Sequence, residues 1–290
     1  MKIHQQVTND SRQVTRTGGS GTRVTRRPSR DARNAFTMVE IAICLAIIGI
    51  ALVAIIGVLP IGLRAQRENR ERTVINQDAT VFMNDIRNGS RGADDLTNYV
   101  YAIVNTGSAP AGYTNALAGP MGFQTANYPT VSNWRLFLTN GVNIVGLLST
   151  PEYTAANGAP LPNFIVGGIS NHIVVSVRSI SGPAVDKPPQ DNPTLQQDSF
   201  SYHLICGTVP VRLQTNGYSA YAVSLQANLH ELRLTFLWPQ LPNGNLPAKP
   251  AHQSYRTLVA GELAWTPGAG LAPLYFFQPL YFANTSTNAP

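Results

Sequence analysis

The stretch "NAFTMVEIAICLAIIGIALVAIIGVLPIGL", residues 34–63, decides how the rest of the chain is read. From Ile41 to Leu63 it runs for 23 residues without a charged side chain. As a helix this span measures about 35 Å at roughly 1.5 Å per residue. The hydrocarbon core of a bilayer is about 30 Å thick. A core helix of a soluble protein is apolar along one stripe, whereas this segment is apolar on every face. Composition therefore predicts a membrane-inserted helix. One residue breaks the pattern: Glu40, a carboxylate five residues after Ala35.

The net charge of +6 suggests nucleic-acid binding until its location is considered. Residues 1–35 carry eight basic side chains (Lys2, Arg12, Arg16, Arg23, Arg26, Arg27, Arg30 and Arg33) against Asp10 and Asp31. The remaining 255 residues carry 13 basic and 13 acidic side chains and are neutral. Once the N-terminal arm is removed, no electrostatic argument for nucleic acid survives. The arm is rich in Ser, Thr, Arg and Gly without apolar periodicity, the composition of a disordered leader. Five arginines between Arg23 and Arg33 precede the apolar block. By the positive-inside rule the arm is cytoplasmic and the C-terminal remainder lies outside.

An ordinary secretory signal has an apolar region of about 7–15 residues and a small-residue cleavage site after it. Here the block is longer, and "VLPIGLRAQ" beyond it is a poor site. An uncleaved signal anchor is the plain alternative. The segment "A-FTMVE-IAICLAIIG", however, resembles the prepilin-type processing motif of the type IV pilin and type II secretion pseudopilin superfamily. That resemblance implies cleavage by a prepilin peptidase between Ala35 and Phe36 and methylation of the new Phe36 amine. It also implies assembly through Glu40, which matches the acid at the fifth mature position. Two features depart from the pattern: Ala35 stands where Gly is usual, and the leader is long. The resemblance covers about 30 residues.

The chemistry of Glu40 fits that assignment. In the precursor it lies about 6 Å along the helix from Phe36, close to the cytoplasmic interface, where a carboxylate is tolerated. Among packed helices it is desolvated, at several kcal/mol if left unpaired. In the family's assembly scheme the freed Phe36 amine of a neighbouring subunit neutralises it, so the pair sets register. An incidental interfacial carboxylate is the competing reading. Ala42, Ala46 and Gly49 fall at helical spacing and allow close helix approach. Pro60, with Gly57 and Gly62, predicts a loosened helix near the outer boundary.

Beyond Leu63 the helix continues. Arg64–Glu68, Arg67–Glu71 and Glu68–Arg72 stand at i,i+4, and Ile75, Ala79, Phe82 and Ile86 form an apolar stripe able to pack on a sheet. Asn88-Gly89 is a stop signal. The spacing predicts a helix of about 53 residues from Phe36 to Asn88, half in lipid and half amphipathic.

Past residue 91 the chain is rich in Asn, Thr, Pro and Gly, with short β-prone runs. Asn140-Gly141 between "NWRLFLT" and "VNIVGLL" predicts a hairpin or tight turn. "NHIVVSVRSI", "FSYHLICGTVPVRLQ", "YAVSLQANLHELRLTFLW" and "RTLVAGELAW" read as strands, with Asn216-Gly217 as a hairpin signal. Leu232, Leu234, Phe236 and Trp238 alternate with Arg233, Thr235 and Leu237, so one face should lie on the helix. The Pro-rich pieces 181–193 and 239–250 read as loops. "LHELRLTFLWP" resembles the Val/Leu-x-Val-x-Val-x-Trp strand of minor pilins and pseudopilins. Together with "RLFLTNGVNIVGLLSTPEY" it is similar to pilin-like cassette proteins of verrucomicrobial bacteria. The expected fold class is α+β and pilin-like, a long N-terminal helix packed on an antiparallel β-sheet domain. The expected segments are a cleaved leader 1–35, a membrane and assembly helix 36–63, its amphipathic continuation 64–90, and a β-rich domain 91–290.

Little in the sequence speaks for catalysis. His4, His172, His203, His230 and His252 show no metal-ligand spacing, and His230-Glu231 reads as a solvated strand edge. Asp94-Asp95 reads as a solvated loop. There is no G-x-S-x-G elbow, no P-loop and no dinucleotide fingerprint. Cys44 in the apolar block and Cys206 beyond it cannot join within one subunit; Cys206 reads as a small buried hydrophobe. No catalytic, metal or cofactor residue is assigned, and no enzyme activity is expected. The resemblance implies a structural, minor subunit of a type IV pilus or type II secretion pseudopilus. Its implied partners are the prepilin peptidase, other pilin-like subunits and the bacterial inner membrane, with the C-terminal domain periplasmic. The alternative is a single-pass anchored envelope protein whose β-domain binds a ligand or glycan.

Overall fold

The computed structural model describes residues 36–89, 93–115, 123–162, 165–181, 200–211, 220–267 and 272–283. The basic leader with Ala35, the Asn216-Gly217 signal and most of the first Pro-rich piece lie outside the described residues. The chain divides into two compact units at the Pro60–Ile61 boundary.

Helix α1 spans Met38–Asn88, starting two residues later than the periodicity predicts. In the first unit it carries no charge after Glu40, and every large apolar side chain from Phe36 to Leu59 is exposed. Pro60 stands inside the helix without ending it. Its missing N–H deprives the Ile56 carbonyl of a donor, so a proline late in an apolar helix is tolerated there rather than acting as a terminator.

In the second unit α1 becomes amphipathic as its spacing predicts. Ile75, Ala79, Phe82 and Ile86 are all 0% exposed and join the core shared with the sheet. Of the three predicted ion pairs along the surface, Arg67–Glu71 closes at 2.8 Å. The other two do not form within bonding distance among the described residues. Glu71 also accepts the Trp238 indole N–H at 3.2 Å. The helix stops at Gly89, whose φ of +61° is a left-handed conformation that costs glycine nothing. A Cβ at that position would sit 2.6 Å from the Phe277 carbonyl oxygen, so the close approach also requires glycine.

The central sheet has seven strands in the order β3-β2-β1-β6-β7-β8-β9. These are β1 (Val100–Asn105), β2 (Ala111–Thr114), β3 (Trp134–Leu136), β6 (Ile173–Arg178), β7 (Ser201–Pro210), β8 (Leu229–Trp238) and β9 (Ala251–Ala260). Between β3 and β6 come helix α2 (Gly141–Leu148) and a two-stranded pair, β4 (Tyr153–Thr154) and β5 (Ile169–Ser170). Helix α3 (Ala220–Asn228) precedes β8, and the chain closes with the antiparallel pair β10 (Glu262–Thr266) and β11 (Leu274–Gln278). The expectation of a purely antiparallel sheet needs correction: β3 pairs parallel to β2, Gly112 opposite Trp134. Parallel neighbours need a crossover of a dozen or more residues, and residues 115–133 supply that length.

Along β6, Ile173, Val175 and Val177 are buried in the core cluster. On β8, Leu232, Leu234, Phe236 and Trp238 are buried in the same cluster, the alternation the sequence shows. Cys206 lies there too, 4% exposed and unbonded, its thiol pushed up by burial.

Four other expectations change. Asn140-Gly141 does not turn a hairpin. The Asn140 side chain accepts the Val142 N–H at 2.9 Å and caps α2, because asparagine serves an N-cap as readily as a turn. The first half of "YAVSLQANLHELRLTFLW" is helical, consistent with its Ala, Leu and Gln content. "RTLVAGELAW" splits into the end of β9 and β10 at Gly261, whose φ is +116°. His230 is not on a solvated edge. β8 is flanked by β7 and β9, the Phe277 ring lies 5.5 Å from the imidazole, and His230 is only 6% exposed. Burial pushes its imidazole down to about 4. The adjacent Glu231 faces the other side and pairs with Arg233 at 2.9 Å and Arg256 at 3.7 Å.

Candidate functional site

The residues singled out by the processing motif lie at the start of α1. Ala35 is outside the described residues, and Phe36, the first described residue, is 74% exposed. Thr37 precedes the helix, and its Oγ1 accepts the Glu40 backbone N–H at 3.3 Å. That is one half of a capping box, in which a threonine at the cap serves the amide of an acid three residues on. The carboxylate of Glu40 is exposed in the first turn, where the positive end of the helix dipole favours it by about 0.3–1 kcal/mol. Thr37 and Glu40 therefore also serve helix initiation. No hydrogen bond or ion pair joins Phe36 to Glu40 within this chain; a pairing between neighbours is a property of two chains.

Downstream, α1 is the one helix among the described residues long and apolar enough to cross a membrane, and its apolar stretch is unburied. A Cβ added at Gly49 or Gly57 would meet nothing within 4 Å, so the surface beside them is open.

A second group, not recognised from the sequence, fixes the amphipathic half of α1 to the β-domain. Asp78 is 0% exposed. Its Oδ2 accepts the Ile180 N–H at 3.0 Å and the Tyr202 hydroxyl at 2.8 Å. Its Oδ1 accepts the Ser181 N–H at 2.8 Å and the Ser181 hydroxyl at 2.5 Å. Burial raises the Asp78 carboxyl above its usual range, and the four donors pull it back. The sequence held a signal: Asp78 stands three residues after Ile75, inside the apolar stripe, where an acid is costly unless hydrogen-bonded. Next to Ile75 at the start of the stripe, the Asn76 side-chain oxygen accepts from the Gln253 side-chain amide at 3.1 Å and also from the Tyr255 hydroxyl, both on β9.

Asp85 is less well served. Half-burial, and then the like charge of Asp95, raises its carboxyl to about 6. An unfolded aspartate titrates near 3.9, so the folded state holds this proton more tightly. The resulting stabilisation is complete below about pH 4 and is lost as pH rises through about 6. Asp85→Asn is expected to stabilise the protein at pH 7 by about 1 kcal/mol, after discounting for solvent screening. Urea midpoints at pH 7 and pH 4 check this: the gain should vanish at the lower pH.

Among the described residues no group of three or more His, Cys, Asp or Glu side chains could hold a metal ion. Two cavities of about 350 and 400 Å³ open in the β-domain, one beside Tyr113 and Tyr275, the other beside His230 and Trp265. No known protein family, curated protein or solved structure matches the chain.

Proposed function

We propose that this protein is a structural subunit, of the minor class, of a type IV pilus or type II secretion pseudopilus. In this reading a prepilin peptidase cuts between Ala35 and Phe36, the Phe36 amine is methylated, and the subunit polymerises through α1. The observation that supports it most is the conjunction at the helix start. A helix whose large apolar side chains from Phe36 to Leu59 are all exposed opens with Phe36-Thr37 and a Glu40 carboxylate that has no ion pair among the described residues. In a bundle of such helices that charge needs a cation, and a freed amine one turn away on a neighbour supplies it. The amphipathic continuation is joined to the β-sheet through Ile75, Ala79, Phe82 and Ile86.

One observation favours the alternative, a single-pass anchored envelope protein. The Thr37–Glu40 bond gives both motif residues a role in starting a helix that never assembles. Intact mass and N-terminal sequencing of the membrane-extracted protein separate the readings. A mature chain beginning at N-methylated Phe36 is expected. A retained arginine-rich leader, in a host with working peptidase, removes the assembly reading.

A further inference from the structure

Strand β9 forms one edge of the seven-stranded sheet, and β3, three residues long, forms the other. All ten residues of β9 pair with β8 without a shift of register. The direction of its backbone groups follows from its neighbour. The Leu229 carbonyl accepts the Val211 N–H just beyond β7, so Leu229 turns its backbone groups toward β7. In an antiparallel ladder alternate residues bond to opposite sides. His230, and every second residue after it to Trp238, therefore face β9, and their partners from Val259 back to Ala251 face β8. His252, Ser254, Arg256, Leu258 and Ala260 then direct N–H and C=O away from the sheet. All five are exposed, and among the described residues no further backbone group bonds to them. Natural edges are blunted by short strands, prolines, bulges or several charges. β3 is short in this way, whereas β9 is long, unbulged and free of proline, with Arg256 as its one formal charge.

The side chains define what such an edge accepts. Gln253 and Tyr255 reach Asn76 of α1, so the outward residues stand on the face away from that helix. There Glu231 is held by Arg233 through both oxygens, at 2.9 and 3.2 Å, and the Glu152 charge also acts on Arg233. Arg256 lies 3.7 Å from Glu231, beyond hydrogen-bonding distance, and its side chain is 70% exposed. Its guanidinium is open to a second carboxylate. Leu258, the next residue on that face, is 57% exposed. β9 itself holds no acidic residue, so the same strand of a second copy offers Arg256 no counter-charge. We infer that β9 docks an extended segment of another polypeptide as an added antiparallel strand, with an acidic side chain opposite Arg256 and an apolar one opposite Leu258. Because the strands run in opposite senses, the incoming segment reads apolar-x-acidic. Main-chain bonds supply its affinity and the alternate side chains its selectivity. The edge uses no residue of α1's apolar half and stands apart from assembly through that helix.

The test uses the full chain in detergent micelles and the capped peptide acetyl-Thr-Val-Thr-Glu-Thr-Thr-Thr-amide, followed by amide hydrogen exchange. At about 1 mM peptide, exchange at Ser254, Arg256 and Leu258 is expected to slow about fivefold as their outward N–H groups are taken up. A peptide with Lys in place of Glu should bind about fivefold more weakly, the size of effect an exposed ion pair produces. Arg256→Gln should remove that difference. Ser254→Pro deletes one outward N–H and leaves the ladder to β8 intact, so the variant should fold yet bind the peptide at least about tenfold more weakly. Unchanged exchange at those three amides, or equal affinity of the Glu and Lys peptides, overturns the assignment, and neither result needs a variant. Slowed exchange at the same amides without peptide, growing with protein concentration, assigns the edge to a second copy of this chain and overturns it too.

Discussion

Replacing Asp78 with alanine is expected to lower the stability of the β-domain by about 3–4 kcal/mol. The substitution removes one carboxylate and strands four donors at once: two backbone amides of residues 180 and 181, and the hydroxyls of Ser181 and Tyr202. Each unsatisfied buried donor costs about 1–3 kcal/mol, partly recovered where water enters the space. Burying the carboxylate is itself unfavourable, as its raised titration point shows. Deleting it nevertheless gains nothing, because the donors remain. Asp78→Asn keeps one acceptor oxygen and sets an amide N–H₂ against a donor, so roughly half the loss is expected. Urea unfolding of the full chain, followed by tryptophan fluorescence, measures both. A loss below about 1 kcal/mol for the alanine variant would show that another contact fastens the helix.

The second large effect concerns assembly. Glu40→Val is expected to insert into the membrane as the parent does. Its incorporation into filaments should fall at least tenfold, since the unpaired amine of a neighbour then lacks its counter-charge, at a cost of several kcal/mol. The helix cap does not confuse this result. The bond to Thr37 uses the backbone N–H of residue 40, which valine retains. Only the dipole contribution of the acid, about 0.3–1 kcal/mol, is lost locally. Comparing subunit in sheared filaments with subunit in membranes gives the ratio. Normal incorporation of the variant would refute the pairing.

Much of the architecture could be read from the residues alone, wherever the signal was local and periodic. The apolar block, the Ile75–Ile86 stripe, the stop at Gly89 and the alternation in Leu229–Trp238 each depend on neighbours a few positions away. What escaped depends on distant partners. Asn140 can cap a helix or turn a hairpin, and the choice falls to whether Ile144 and Leu148 are buried on one helical face. His230 looks solvated until strand order places β9 beside it and Phe277 above it. Asp78 went unrecognised because its four donors lie more than a hundred residues further along the chain. The motif at Phe36 and Glu40 was visible for the opposite reason, being contiguous, although its proposed counterpart lies on another molecule.

The closing strand β11 sets an order of events for a chain made from its N-terminus. Tyr275 and Phe277 are 1% and 2% exposed and sit in the same core as Ile75 of the helix and Val175 of the sheet. Tyr275 also donates to the Gly158 carbonyl at 2.7 Å, pinning a loop in the middle of the sequence. Until this late segment arrives, the end of α1 and the loop at residue 158 lack their cover, and greasy surface stays open to water. The domain therefore closes like a purse whose drawstring is threaded late, and a ribosome stalled short of residue 278 leaves it unsealed.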